Sequence, residues 1–238
     1  MNILVLGHNG MLGHMVVKYL SQFTNITTLN SRWPQSKSEI LKFKGDFIIN
    51  CIGAIPQKTN QFDLNWELPI WLDLNSPCKV IHPGTDCEID SDTYGVSKNI
   101  ASKYIKSLGK NTKILKTSII GPEINTNSSL LEWFLSQEKP VFGYTLAKWN
   151  GNTTLEWAKQ CYKLINNWDS YPTECVLATP CISKYDLLNI IKKVFNKNID
   201  IMPQEKGKNK CLACKTGDVR CSDIENQLIE LKSYYYGN

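Results

Sequence analysis

Between positions 7 and 13 the chain reads Gly7-His8-Asn9-Gly10-Met11-Leu12-Gly13, three glycines at three-residue intervals. The segment follows an apolar run over residues 1–6 and precedes Met11, Leu12, Met15, Val16 and Leu20, which recur at helical spacing. Strand, glycine turn and helix in immediate succession constrain the fold more than any other feature of the sequence. Glycine here permits a tight turn, a close approach of backbone to an anion and close packing of helix on strand, while the helix N-terminus offers free amides. The spacing departs from the usual G-x-G-x-x-G, yet its position predicts a pyrophosphate-binding turn of a dinucleotide site, with Gly7, Asn9, Gly10, Met11, Leu12 and Gly13 around the ligand.

The rest of the chain keeps the same rhythm as far as residue 121. Strands are expected at 26–29, 46–52, 79–82 and 113–120, and helices at 64–74, despite Pro69, and 93–108. The run Asp46-Phe47-Ile48-Ile49-Asn50-Cys51-Ile52 is nearly continuous in apolar residues, as a strand covered on both faces requires. Alternation of this kind predicts an α/β protein, a doubly wound parallel sheet with helices on both faces. After Pro122 the rhythm changes: helices are expected at 128–137, 154–166, 184–195 and 222–235 and a late strand at 175–177. The division this suggests is a nucleotide-binding core over 1–121, rejoined by about 150–180, and a small C-terminal lobe from 122–149 and 181–238. At 238 residues with 42% hydrophobic content the chain is long enough for one large core.

Twenty-seven basic and 22 acidic residues, net +5, suit a small anionic ligand but do not form a nucleic-acid stripe. No window reaches the apolar length of a membrane span, and the first apolar run, Met1 to Leu6, stops at Gly7 without a basic flank or cleavage site, so secretion is not expected. The nine cysteines are therefore expected as reduced thiols in a cytoplasmic protein. Cys211-x-x-Cys214 with Cys221 falls short of a closed zinc site, because the three histidines, His8, His14 and His82, all lie in the first third of the chain. No metal is expected.

Tyr94-Gly95-Val96-Ser97-Lys98 carries the chemistry: a four-residue separation on a helix puts phenol and ammonium on one face. Activating a tyrosine near neutrality takes about three pK units, roughly 4 kcal/mol. A cation ~4.5 Å away at an effective dielectric of ~20 supplies about that much. Thr85, nine residues upstream and just past an expected strand end, would share the crevice beyond the carboxyl ends of the strands.

With these residues in place the sequence resembles the extended short-chain dehydrogenase/reductase family, and within it the dTDP-4-dehydrorhamnose reductase-like sugar-nucleotide reductases. The resemblance lies in M-N-I-L-V-L-G-H-N-G-M-L-G, D-F-I-I-N-C-I-G-A, G-T-D-C before Y-G-V-S-K, and K-T-S-I-I-G-P-E, and it weakens after Glu123. It implies that Tyr94 donates a proton to a sugar ketone, that Lys98 lowers its pK and holds the nicotinamide ribose, and that Thr85 orients the carbonyl. It also implies that Cys51, Ile52 and Gly53 line the adenosine path and that Asp86, Cys87, Trp149, Asn150 and Thr153 face the substrate. The sequence does not reveal the oligomeric state; a homodimer is one assembly open to it. Asn65 matches an asparagine of many members, against an ordinary exposed helix position. Ser31 and Arg32 stand where an NAD site would want an acid, which favours NADPH over NADH.

Two departures stand out. The stretch between Thr85 and Tyr94 is short for such reductases, and Lys116 occupies a position where arginine is common, without arginine's planar fork. The activity implied is NADPH-dependent reduction of a nucleotide-linked 4-keto-6-deoxy sugar. Two alternatives remain: an epimerase or dehydratase of the same family, and a non-catalytic NADP-binding regulatory subunit.

Overall fold

The computed structural model describes residues 1–237, which form two compact units. The first comprises Met1–Lys116 and Ala158–Cys175, the second Thr117–Trp157 and the chain from Val176.

In the first unit β1 (Asn2–Leu6) leads into α1 (Met11–Leu20), β2 (Asn25–Thr28) into α2 (Lys37–Lys42), and β3 (Phe47–Asn50) into α3 (Leu64–Asn75). Then come β4 (Lys79–Gly84), α4 (Thr93–Leu108) and β5 (Thr112–Lys116). The strands are all parallel, in the order β2-β1-β3-β4-β5, with Ile3 opposite Phe47 and Ile49 opposite Ile81. Ile3, Leu4, Val5, Ile48, Ile49, Val80, Ile81, Ile114 and Leu115 are wholly buried, which explains why these strands read as unbroken apolar runs. Strand β2 lies at the edge and its residues are largely exposed. Connections from β1 leave toward β2 on one side and from β3 toward β4 on the other, so the order reverses between β1 and β3. In open α/β sheets such a reversal is where the loops diverge and a ligand crevice is expected, outside the carboxyl ends of the strands.

The second unit contains β6 (Ile119–Ile120), α5 (Leu130–Ser136), β7 (Val141–Tyr144), β8 (Lys148–Trp149) and β9 (Asn152–Thr153). Helix α6 (Thr154–Asn166) begins in this unit and continues into the first, and β10 (Glu174–Ala178) returns. Then follow β11 (Ile182–Ser183), α7 (Lys184–Val194), β12 (Ile201–Gln204), β13 (Val219–Arg220), α8 (Ile224–Leu231) and a π-helical turn over Lys232–Tyr236. Leu177 and Ala178 of β10 pair in parallel with β13, bringing the sheet to seven strands. Short ribbons β6–β9, β7–β12 and β8–β11 complete the unit.

The run expected as one strand over 113–120 is two strands. Asn152 donates through Nδ2 to the Thr117 hydroxyl and to the Leu177 carbonyl, both at 2.9 Å, and the Asn152 N–H donates to Ser118 O. Polar side chains at the break thus draw the chain out of β5 into β6. The expected reduced state of every cysteine also needs correction. Cys181 and Cys211 form a disulfide with Cα atoms 6.0 Å apart. Sequence spacing had grouped Cys211 with Cys214, whereas the fold brings the chain beside β11 to the long loop between β12 and β13. That loop is held further by Asn150, whose Nδ2 donates to Leu212 O and whose Oδ1 accepts from Leu212 N–H, each at 2.8 Å.

Candidate functional site

The glycine turn forms at the carboxyl end of β1. Gly7 has φ +77°, a left-handed conformation that costs glycine nothing. A Cβ there would lie 2.9 Å from Ile52 Cγ1 and 3.0 Å from the Cys51 carbonyl carbon, so Gly7, Cys51 and Ile52 are in contact. A Cβ on Gly13 would fall 2.1 Å from Gly7 O, which fixes the approach of α1 to β1. The Gly10 N–H closes the turn on Gly7 O at 3.0 Å. No side chain caps the N-terminus of α1 and no acidic residue lies in its first turn. Asn9 and Gly10 are exposed and Met11 half-buried at this end, whereas Leu12 and Gly13 are buried against the strand. A backbone cradle without side chains, at the positive end of a helix, fits a pyrophosphate.

Beyond β2, Arg32 is exposed and Ser31 is half-buried. The Ser31 hydroxyl donates to Glu39 of α2, an acid that sequence position alone did not associate with this strand end. Arginine suits a 2′-phosphate and a carboxylate suits a 2′-hydroxyl; the protein has one of each here.

The loop after β3 is fixed by two buried amides. Asn50 Oδ1 accepts the Ile52 N–H at 3.1 Å, and its Nδ2 donates to His82 Nδ1 on β4 at 3.2 Å. Asn65 of α3 is buried, not exposed: its Oδ1 accepts the Ala54 N–H at 2.8 Å and its Nδ2 donates to Ala54 O at 2.9 Å and to Ser97 Oγ at 3.1 Å. This clamp ties the loop containing Cys51, Ile52 and Gly53 to α4. Burial pushes the Cys51 thiol up, so it remains protonated and unreactive. Exposed Gly53 stands beside Lys98, whose Nζ would be 3.7 Å from a Cβ at that position.

Thr85 follows β4 and caps a 3-10 turn, Asp86–Ile89. Its Oγ1 accepts the Cys87 N–H at 3.3 Å and donates to Asp86 Oδ1 at 3.1 Å, and its N–H donates to Glu88 Oε1 at 2.9 Å. Helix α4 starts where expected, because Asp92 Oδ1 accepts the Gly95 N–H at 2.7 Å. Its first turn carries Tyr94, which lies edge-on to Phe62 and within hydrogen-bonding reach of the Thr85 hydroxyl. One turn on is Lys98, buried.

The electrostatics differ from the simple expectation of a lysine-lowered phenol. Burial first, then the negative groups Cys87 and Asp86, push Tyr94 above the ordinary tyrosine value, opposed by the Thr85 hydrogen bond. Burial pulls Lys98 down, and Glu88 acts against that. His82 is held well below the usual histidine value by burial and by Lys98, so it is neutral. The sequence missed Asn50, His82, Ser97 and Glu88. Their signal was polar residues where an apolar strand or a helix face was expected, which periodicity cannot distinguish from surface.

Trp149, Asn150 and Thr153 belong to the second unit and are buried there. Lys184 Nζ stands 4.8 Å above the Trp149 ring, Asn150 is committed to Leu212, and Thr153 Oγ1 accepts the Glu156 N–H at 3.1 Å. Among the described residues no helix is long and apolar enough to cross a membrane, and no group of three or more His, Cys, Asp or Glu could hold a metal ion.

Sheet order, glycine turn and the pairing of Thr85 with Tyr94 together define an α/β protein with a dinucleotide-type crevice. No protein-family model matches the sequence, and no curated relative matches it. Solved structures with the same fold include a dTDP-4-dehydrorhamnose reductase from Clostridium acetobutylicum, at TM-score 0.78 and 18% identity over 97% of this chain and 98% of that one. A dTDP-4-dehydrorhamnose reductase from Bacillus anthracis, in complex with NADP, superposes at TM-score 0.74 and 14% identity over 97% and 98%. A dTDP-glucose 4,6-dehydratase from the same organism, in complex with NAD, gives 0.74 and 14% over 100% and 97%.

Proposed function

We propose that this chain is an NADPH-dependent reductase of a nucleotide-linked 4-keto-6-deoxy sugar, of the dTDP-4-dehydrorhamnose reductase kind. The observation that carries the reading is the convergence of Thr85, Tyr94 and Lys98 beside the Cys51–Gly53 loop, in the same unit as a glycine cradle. In this reading Gly7, Gly10 and Gly13 with the N-terminal amides of α1 hold the pyrophosphate, Cys51, Ile52 and Gly53 border the adenosine side, and Arg32 takes the 2′-phosphate. When bound, a reduced nicotinamide supplies hydride.

Tyr94 then supplies the proton. Burial holds the phenol above its ordinary value, so it is protonated at neutral pH but a weaker acid; transfer to the ketone therefore depends on Thr85 and Lys98 stabilising the phenolate that remains. Thr85 orients the carbonyl oxygen toward that phenol once its hydroxyl turns from Asp86. Lys98 stabilises the phenolate that remains and binds the ribose. Asp86 and Cys87 lie close to the reacting oxygen. A homodimer in the cytoplasm is the setting we propose with it.

The test is NADPH oxidation with a panel of nucleotide-linked keto sugars. Tyr94→Phe removes only the transferable proton, so turnover falls by at least about a thousandfold, within the range of general acid catalysis. Tryptophan quenching by NADPH is retained in that variant. Normal turnover in Tyr94→Phe overturns the assignment. A buried acid on the Thr85 hydroxyl favours one second reading, a dehydratase or epimerase that recycles its cofactor; product formed without net NADPH consumption would select it.

A further inference from the structure

The sequence places no acid just beyond β2, and the fold brings one there. Strand β2 ends at Thr28, and the residues that follow, Asn30-Ser31-Arg32, contain no carboxylate. Eight residues past Ser31, Glu39 lies in the first turn of α2, and its Oε1 accepts the Ser31 hydroxyl. The turn itself sets up this contact. Buried Ser36 donates its N–H to Arg32 O at 2.9 Å, and the N–H groups of Glu39 and Ile40 return to Ser36 O at 3.1 and 3.0 Å. Ile40 is wholly inaccessible and anchors α2 in the core cluster against which Trp33 and Trp71 also pack. The Trp33 and Trp71 rings meet edge-on at 5.0 Å, and Lys37 Nζ stands 4.8 Å over the first and 5.5 Å over the second. The Lys37 ammonium is thereby drawn onto the aromatic pair. Arg32, next to Ser31 in the chain, and Glu39, hydrogen-bonded to it, are both exposed, so opposite charges flank one hydroxyl.

We propose that Glu39 is a specificity-determining residue for the coenzyme: its carboxylate, oriented by Ser31, accepts the adenosine ribose hydroxyls of NADH, beside the Arg32 guanidinium that takes the 2′-phosphate of NADPH. The proposal rests on the dinucleotide reading of the glycine turn and deepens it. The two ligands make different demands. A ribose 2′-hydroxyl donates and needs an acceptor, which a carboxylate supplies and a guanidinium cannot. A 2′-phosphate offers acceptors and negative charge, so it pairs with arginine and is repelled by Glu39. Between exposed groups such a repulsion is worth about fivefold in affinity. Ser31 serves both states, because its hydroxyl can donate to the carboxylate or turn to a phosphate oxygen. Glu39 thus opposes part of what Arg32 gives NADPH and adds to what NADH can reach, and the two coenzymes bind within about tenfold of each other.

The experiment is titration of the full chain with NADPH and with NADH, followed by tryptophan quenching, so that no turnover is needed. Glu39→Gln keeps an acceptor for Ser31 and removes the charge. NADPH then binds about fivefold tighter and NADH about twofold weaker, which moves the ratio of the two Kd values about tenfold toward NADPH. Ser31→Ala keeps the charge and releases its orientation, so NADH weakens and NADPH does not tighten. Arg32→Ala weakens NADPH about tenfold and leaves NADH within about twofold. Glu39 is exposed, so these side-chain changes leave the fold intact, as an unchanged urea midpoint will show. A wild-type preference for either coenzyme well above tenfold, or a Kd ratio that does not move in Glu39→Gln while both coenzymes bind, overturns the proposal. Wild type that binds neither coenzyme defeats the dinucleotide reading and this proposal together. Wild type that binds both and reduces no keto sugar defeats the reductase reading alone.

Discussion

Both units bury a cluster of polar side chains, and the two clusters are made of different chemistry. In the first unit His82, Asp86, Glu88 and Lys98 are all nearly inaccessible and all titratable. In the second, Asn152, Thr153 and Gln227 are equally buried and carry no charge. The neutral set is fully paired: Gln227 Nε2 donates to Asn152 Oδ1 and to Ser222 O, and Gln227 Oε1 accepts the Thr153 N–H, all at 2.9 Å. These amides join β6, β9, β10 and α8 at a cost that hydrogen bonding repays. The charged set gains much less from assembly, because desolvating ions consumes most of what pairing returns. Charge at this depth makes physical sense where protons are to be held or moved. A buried cluster of titratable groups is therefore a better candidate site than a buried cluster of amides, although the second unit also buries one carboxylate, Glu156.

On that contrast, breaking the second unit's links costs stability, and removing the Lys98 charge from the first unit does not. The largest effect is expected at the disulfide. Closing a loop with a sequence separation of 30 stabilises by about 3.5 kcal/mol on the chain-entropy account. Alkylation in denaturant without reductant should find seven free thiols, and reductant should lower the urea midpoint accordingly. Nine alkylated thiols would remove the covalent link from the comparison. Next comes Asn152→Ala, which strands the Gln227 amide and the Leu177 carbonyl and should cost about 3 kcal/mol in urea unfolding. NADPH quenching should be retained, since the glycine turn belongs to the other unit.

The sequence made the first unit legible and the second only partly so, for reasons visible in these residues. Strands such as β1 and β3 are covered on both faces, and their apolar runs and terminal glycine or asparagine mark them without ambiguity. Strands β6, β8, β9, β11 and β13 have two residues each, too short for any periodicity to register. Helix α6 was legible from end to end because its apolar face repeats over thirteen residues. In the site, Gly7, Thr85, Tyr94 and Lys98 were legible because each type is tied to a chemistry at fixed spacing. Asn50, His82 and Glu88 were not, because they act through partners brought together by strand register and by a turn shorter than expected. Asn150 and Thr153 were expected to face the substrate because of the resemblance of their segment to a substrate-side segment; in the fold the Asn150 amide bonds Leu212 and the Thr153 hydroxyl accepts the Glu156 N–H.

Lys98→Met sharpens the comparison from the other side. The substitution keeps side-chain length and removes a buried charge, and Glu88 keeps Lys116 as its partner. Stability should be unchanged or raised by about 1 kcal/mol, with proposed turnover lost. A loss near 3 kcal/mol, like that expected for Asn152→Ala, would show that the charged cluster holds the fold together as the neutral one does.

At His82 the expected effect is a slope with pH. Burial and the neighbouring Lys98 hold this imidazole neutral in the folded protein, whereas in the unfolded chain it takes a proton near pH 6.5. Below that pH the unfolded state binds the extra proton, so stability falls as pH drops, by at most about 1.4 kcal/mol per unit from this one group. Glutamine can accept the Asn50 hydrogen bond and does not titrate. The stability of wild type relative to His82→Gln should therefore be constant from pH 8 to 7 and decline from 6.5 to 5. Carboxylates titrating in the same range cancel in the difference. A difference that stays level across the whole range would mean that His82 is protonated as readily inside the fold as outside, and that its place beside Lys98 carries no electrostatic cost.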